Sequence, residues 1–250
     1  MKRLEFARRP FGVFGLIAVW LLNVGIPAAI SAQTPEIEGQ KLVRKLRDLR
    51  PAQAFNNTGT MEIRRGDRHR VPVYLKTVVQ GDSWLSIYGT GNSPTLVVAQ
   101  SHDGPNTYVS LPPARVNDVP DFSRRRQLVN SNVPFAGSDF WLSDLGLEFL
   151  HWRHQRVIGS DVRKTQKCHV LESINHVQQR GGYSRVKSWV DKDSGALITA
   201  EAYDTQGRLW KRFEPKKLKK VDGKWRLKEI EMRDFRTDSK TTLIFNREIE

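Results

Sequence analysis

The sequence predicts a mainly β fold: a curved, half-closed antiparallel barrel of about ten or eleven strands with a few helices over its mouth. Three observations carry that expectation. From Asn57 onward apolar residues recur at alternate positions in short runs, and Gly, Asp, Asn or Pro separates each run from the next. Only two segments show helical spacing, too few to cover both faces of an open sheet. A sheet beyond about ten strands seldom stays flat, so it must curl or wrap around something.

The chain opens with Lys2, Arg3, Arg8 and Arg9 ahead of an apolar run from Phe11 to Pro27, with Ile30-Ser31-Ala32 as a cleavage site. Positive head, short apolar stretch and small exit residues describe a secretory signal peptide. A retained membrane anchor is the alternative, since about 17 apolar residues can just span a bilayer. The expected organisation is a leader over residues 1–32 and one β domain over residues 33–250, working outside the cytoplasm. Cleavage removes four Lys/Arg and one Glu and lowers the net charge from +14 to +11. The single Cys168 cannot form an internal disulfide and is expected to be a small buried hydrophobe.

Thr34-Pro35-Glu36 is a helix entry: a hydroxyl cap, Pro at the first helical position, then an acid. Leu42, Leu46 and Leu49 share a face, and Arg50-Pro51 ends the helix. Val71, Val73, Leu75 and Val79 then alternate with Tyr74 and Lys76 along a strand with one buried face. Turns at Gln80–Ser83 and Gly89–Pro94 lead into strands Trp84–Tyr88 and Thr95–Ala99, and Tyr108–Leu111 follows. Pro112 to Pro134, with four prolines and the run Arg124-Arg125-Arg126, reads as a long surface connection. Leu142 to Trp152 looks helical. Beyond it, strands near Val157, Cys168–Glu172, Tyr183–Val190, Ala196–Tyr203, Leu209–Glu214, Trp225–Phe235 and Thr241–Ile249 form a run of hairpins. Trp225 and Leu227 share a parity that Ile230 and Met232 do not, which predicts a β-bulge near Lys228-Glu229.

The order of several short pieces resembles a known family. Ala136-Gly137-Ser138-Asp139-Phe140 precedes Asp144-Leu145; Cys168-His169-Val170-Leu171-Glu172 precedes Trp189-Val190-Asp191-Lys192-Asp193-Ser194-Gly195; Tyr203-Asp204, Gly207 and Val221-Asp222-Gly223-Lys224-Trp225 follow. This is similar to the LolA-like outer-membrane lipoprotein-sorting family, chiefly over residues 130–250. The resemblance implies an unclosed antiparallel barrel with a helical lid and an apolar cup for acyl chains. It implies a periplasmic carrier for a lipid or lipidated protein, with an inner-membrane transporter and an outer-membrane acceptor as partners.

Candidate residues follow from that implied cup. Val73, Leu75, Trp84, Ile87, Trp189 and Trp225 are the expected wall, with Phe140, Trp141, Asp139 and Asp144 in the lid. The same rings serve equally as ordinary core, since each buries a large area. Asp139 is expected to cap the helix beginning near Trp141, with gating of the lid as the alternative. The basic residues Arg124, Arg125, Arg126, Lys216, Lys217, Lys219 and Lys220 suit an anionic membrane surface, or simply a solvated face. Nucleic acid is not an expected partner of an exported chain that lacks a binding motif. The sequence holds no His-Glu-x-x-His pattern, Gly-x-Ser-x-Gly elbow or phosphate-cradling Gly loop, so no enzyme activity, cofactor or metal is expected. His151 and His154 lack a third ligand. A second function class stays open: a non-enzymatic accessory subunit of an envelope transporter, its cup filled by side chains, docking through its basic surface.

Overall fold

The computed structural model describes residues 34–48, 51, 53–102, 104–113, 127–177, 181–221 and 224–249. The expected leader and the basic run Arg124–Arg126 lie outside the described residues. Among the described residues no helix is long and apolar enough to cross a membrane.

The first helix, α1 (Pro35–Arg47), forms as its local sequence dictates. The Thr34 hydroxyl accepts the Ile37 N–H at 3.4 Å, acids occupy the first turn and Arg44, Lys45 and Arg47 the last. Its buried residues are Gly39, Val43 and Leu46, with Leu42 partly buried beside them, and Leu49 lies outside the described residues. Gly39 is there because the helix backbone presses on a strand: a Cβ at this position would sit 2.5 Å from the Arg156 Cα. That clash outweighs the roughly 1 kcal/mol of helix propensity that Ala offers over Gly. Gly39→Ala is therefore expected to lower unfolding stability by about 1–2 kcal/mol net in a denaturant titration. An unchanged midpoint would mean that α1 does not bear on the sheet.

The strands are β1 (Phe55–Arg65), β2 (Asp67–Gln80), β3 (Ser83–Gly89), β4 (Thr95–Ser101), β5 (Thr107–Leu111) and β6 (Gln127–Leu128) in the first half. The second half supplies β7 (His154–Arg163), β8 (Gln166–Ile174), β9 (Arg185–Asp191), β10 (Leu197–Tyr203), β11 (Leu209–Val221), β12 (Lys224–Asp234) and β13 (Ser239–Ile249). Each half is an antiparallel meander. The two join where β1 pairs with β13, giving a single sheet of thirteen strands among the described residues, in the order β6-β5-β4-β3-β2-β1-β13-β12-β11-β10-β9-β8-β7. β6 and β7 do not pair with each other, so the sheet stays unclosed. This is the half-open barrel the sequence predicts, with two more strands than expected. The additions are β1, whose buried residues Met61 and Ile63 stand among polar ones, and the two-residue β6.

Two further expectations meet the structure differently. The bulge near Lys228 is present: Leu218 faces Leu227 while Lys217 faces Glu229, leaving Lys228 unmatched. The helix expected over Leu142–Trp152 is broken. It consists of α2 (Leu142–Leu145) and a 3-10 turn over Glu148–His151, because Gly146 ends α2 and Leu147 has φ of 47°. The left-handed backbone at Leu147 stops helix propagation whatever the side-chain periodicity.

Candidate functional site

Directly paired residues share a face, so register separates the inner from the outer surface of the sheet. On the inner face Met61, Val73, Leu96, Val98, Tyr108, Met232 and Leu243 form one buried cluster under Phe135, Phe140 and Leu142. Leu171, Val186, Val190, Ala200 and Ala202 form a second under Trp141, Phe149, Leu150 and Val43 and Leu46 of α1. The cover is thus α1 and the segment between β6 and β7, not a second sheet. Among the described residues, a space of ≈ 10 Å³ lies between cover and sheet beside Asp144, Phe149, Tyr183, Lys211, Phe213 and Met232. That is room for about one water molecule.

The covering segment is tied down by buried charge. Lys211 lies on the inner parity of β11, 2% exposed at its side chain. Its Nζ donates to the Asp139 carbonyl at 2.7 Å, stands 3.8 Å from Asp144 Oδ2, and lies 3.8 Å from the Trp141 ring centroid. Asp144 Oδ2 accepts the Trp141 N–H at 2.8 Å, and its two oxygens accept the Tyr183 hydroxyl at 3.0 and 3.1 Å. Burial pushes the Asp144 carboxyl above the usual carboxylate range and lowers the Lys211 ammonium, while their mutual attraction opposes both shifts. Asp139 is held from β13, by Ser239 Oγ at 2.5 Å and Thr241 Oγ1 at 2.8 Å, and by Arg65 Nη2 at 3.2 Å. Trp141 itself stacks on Tyr183, with centroids 4.6 Å apart, and meets Trp210 edge-on at 4.8 Å.

These contacts correct the expected helix cap. Asp144, at the third position of α2, bonds back to the cap residue Trp141, whereas Asp139 anchors the segment to β13. Phe140, Trp141, Asp139 and Asp144 are brought together; the six wall candidates are not. Val73 and Leu75 share the inner face of β2, and Trp84 lies on that face of β3, half-buried. Ile87 points the other way, packed with Tyr74, Val97 and Leu111. Trp189 also occupies the outer face, beside Cys168, Val170 and Ile198, its indole N–H donating to Asp161 Oδ2 at 2.9 Å. Cys168 is buried and free, as the sequence leads one to expect. Trp225 is placed on β12 opposite Lys220, and the side chains of Trp225, Lys219 and Lys220 lie outside what is described. Lys216 is paired with Glu214 and Glu231, and Lys217 with Glu229.

A second feature escapes sequence reading. A cleft of ≈ 450 Å³ opens between residues 131–132, the turn 148–154 and the end of β8 at 174–177. His151, Arg153, His154, Asn175 and His176 line it. Burial, with the Arg47 charge nearby, holds the His151 imidazole down to about 4 and therefore neutral near pH 7. Among the described residues no three His, Cys, Asp or Glu side chains are grouped so as to hold a metal ion.

With this geometry in view, comparison with known proteins is informative about the fold. A family model described as "Uncharacterized protein" matches residues 119–249, just over half of the chain. No curated protein matches the sequence. A solved domain from Vibrio parahaemolyticus, named as an outer membrane lipoprotein-sorting protein, superposes with a TM-score of 0.69 at 22% identity, covering 85% of this chain and 92% of that one. A DUF1329 family protein from Desulfovibrio piger gives 0.67 at 19% identity over 86% and 92%. A LolA superfamily protein from Nitrosomonas europaea gives 0.60 at 16% over 84% and 92%. The likeness to the LolA-like lipoprotein-sorting proteins is therefore one of fold over most of the described chain.

Proposed function

We propose that this chain, which belongs to the family whose model matches residues 119–249, is a non-catalytic periplasmic carrier that shields a lipid or the acyl chains of a lipoprotein on the inner face of its open sheet. One observation supports this above the others: the apolar inner face is covered by α1 and a short, latched segment and not by a second sheet. The fold shared with a domain named for outer membrane lipoprotein sorting and with a LolA superfamily protein supports it further. An acyl chain costs about 0.8 kcal/mol per CH₂ left in water, so cargo cannot cross unaided. Phe140 and Leu142 pack on the inner-face cluster, so cargo seated there displaces them from the sheet. Exchange of one apolar cover for another of similar area changes little free energy. Loading and release then need partners that bind the cargo comparably well, and no bond is broken. An export leader over residues 1–32, an inner-membrane transporter and an outer-membrane acceptor belong to the same proposal.

The test is native mass spectrometry of the chain from Gln33 onward, looking for co-purifying lipid. Leu75→Glu places a carboxylate on the inner face at a half-buried position, where the fold tolerates it, and is expected to abolish lipid retention. Unchanged lipid content in that variant would count against the carrier. The buried side chains packed between cover and sheet favour a second reading, the accessory subunit. A lipid-free protein that captures a membrane complex in a salt-dependent manner would replace the carrier with it.

A further inference from the structure

The cleft beside β8 has a composition that the carrier reading leaves unused. Its two acids are already engaged: Asp144 by Trp141, Tyr183 and Lys211, and Glu148 by the Tyr108 hydroxyl at 2.9 Å. Arg153, His154 and His176 are exposed, and Arg153 has no ion pair among the described residues. His154 and His176 meet edge to face with ring centroids 4.1 Å apart, which brings two imidazoles together in the cleft. Exposed apolar side chains stand at or beside the lining: Val177, 76% exposed, forms part of it, and Val133, 40% exposed, follows Asn132. Exposed nitrogen donors beside exposed apolar side chains match an anion attached to hydrocarbon. The guanidinium fork suits a tetrahedral oxyanion, and imidazole N–H groups can share its remaining oxygens.

We propose that this cleft is a seat for a phosphate anion, held by Arg153, His154 and His176, and that the carrier uses it for the phosphate of a lipid headgroup. The proposal rests on the carrier reading for its lipid and on the cleft alone for its anion. Two assays on the intact protein separate them. The first follows extraction of phosphatidylglycerol or diacylglycerol of the same acyl composition from phosphatidylcholine vesicles. The second titrates inorganic phosphate alone and follows the His154 and His176 ring protons by NMR. Arg153→Gln and His176→Asn change exposed side chains, so the fold is retained.

Phosphatidylglycerol should be extracted about tenfold in preference to diacylglycerol, the scale of one charge-assisted hydrogen bond, and the preference should vanish in Arg153→Gln. Phosphate-dependent His shifts without extraction of either lipid would keep the seat, assign it to free phosphate and remove the carrier. Equal extraction of both lipids with unmoved His signals would keep the carrier and overturn the seat. Neither extraction nor shifts would overturn both.

Discussion

Lys211→Met is expected to cost about 3–5 kcal/mol of unfolding free energy, a large share of the 5–15 kcal/mol typical of a domain. The cause is what the substitution leaves behind. Asp144 would keep the Trp141 N–H and the Tyr183 hydroxyl but lose the only cation drawn near its carboxylate among the described residues, and the Asp139 carbonyl would lose its buried donor. Removing both charges is a different matter. Lys211→Met with Asp144→Asn should regain much of the loss, because a buried pair replaced as a unit is often close to neutral. A pH dependence follows with a definite sign. Without Lys211 the native Asp144 carboxyl rises further above its unfolded value, so the native state binds the proton more readily than the unfolded chain. Stability of the single variant should then improve as pH falls from neutral toward the ordinary carboxylate range. Denaturant titrations of the single and double variants at two pH values decide it. A single-variant loss below about 1 kcal/mol, the size of an exposed ion pair, would show that Lys211 does not hold the segment.

How much of this was legible follows the range of the interactions. The cap at Thr34-Pro35 and the turn at Asp191–Gly195 are written within a few residues, and the structure places them as read. The Lys228 bulge was visible because a parity break needs no partner to be seen. Pairing of β1 with β13 joins residues nearly two hundred positions apart, and no local pattern encodes it. The wall candidates divide for a related reason. Ile87 and Trp189 sit on strands buried on both faces, where an apolar side chain no longer says which side it serves. Lys211 hid in Trp210-Lys211-Arg212, which reads as a solvated stretch. Its one signal was parity: a lysine in step with Phe213 on an apolar face requires a buried acid.

Phe140→Ala puts the nature of the cover to the hardest trial. The ring is fully buried and meets Phe213 edge-on with centroids 6.5 Å apart, in a cluster with Met61, Met232 and Leu243. If that cluster is an ordinary core, truncation should cost about 3–5 kcal/mol of global stability, with β-sheet circular dichroism and aromatic packing lost in one transition. An exchangeable cover behaves otherwise. The loss is then limited by the free energy that docks the segment, since undocking leaves the strand ladder intact and offers its inner face to any apolar ligand. The carrier reading therefore expects a variant whose far-ultraviolet spectrum and strand-amide protection persist. Its near-ultraviolet signal from Trp141 and Trp210 should fall, and an environment-sensitive hydrophobic dye or a fluorescent fatty acid should bind several-fold more. The Asp139 N–H donates to Thr241 Oγ1 of β13 at 2.9 Å, so that amide reports undocking by faster hydrogen exchange than those of Val97 and Val98 in the strand ladder. A single cooperative transition with no gain in apolar ligand binding would make Phe140 a core residue like any other, and the inner face would then have nothing to exchange.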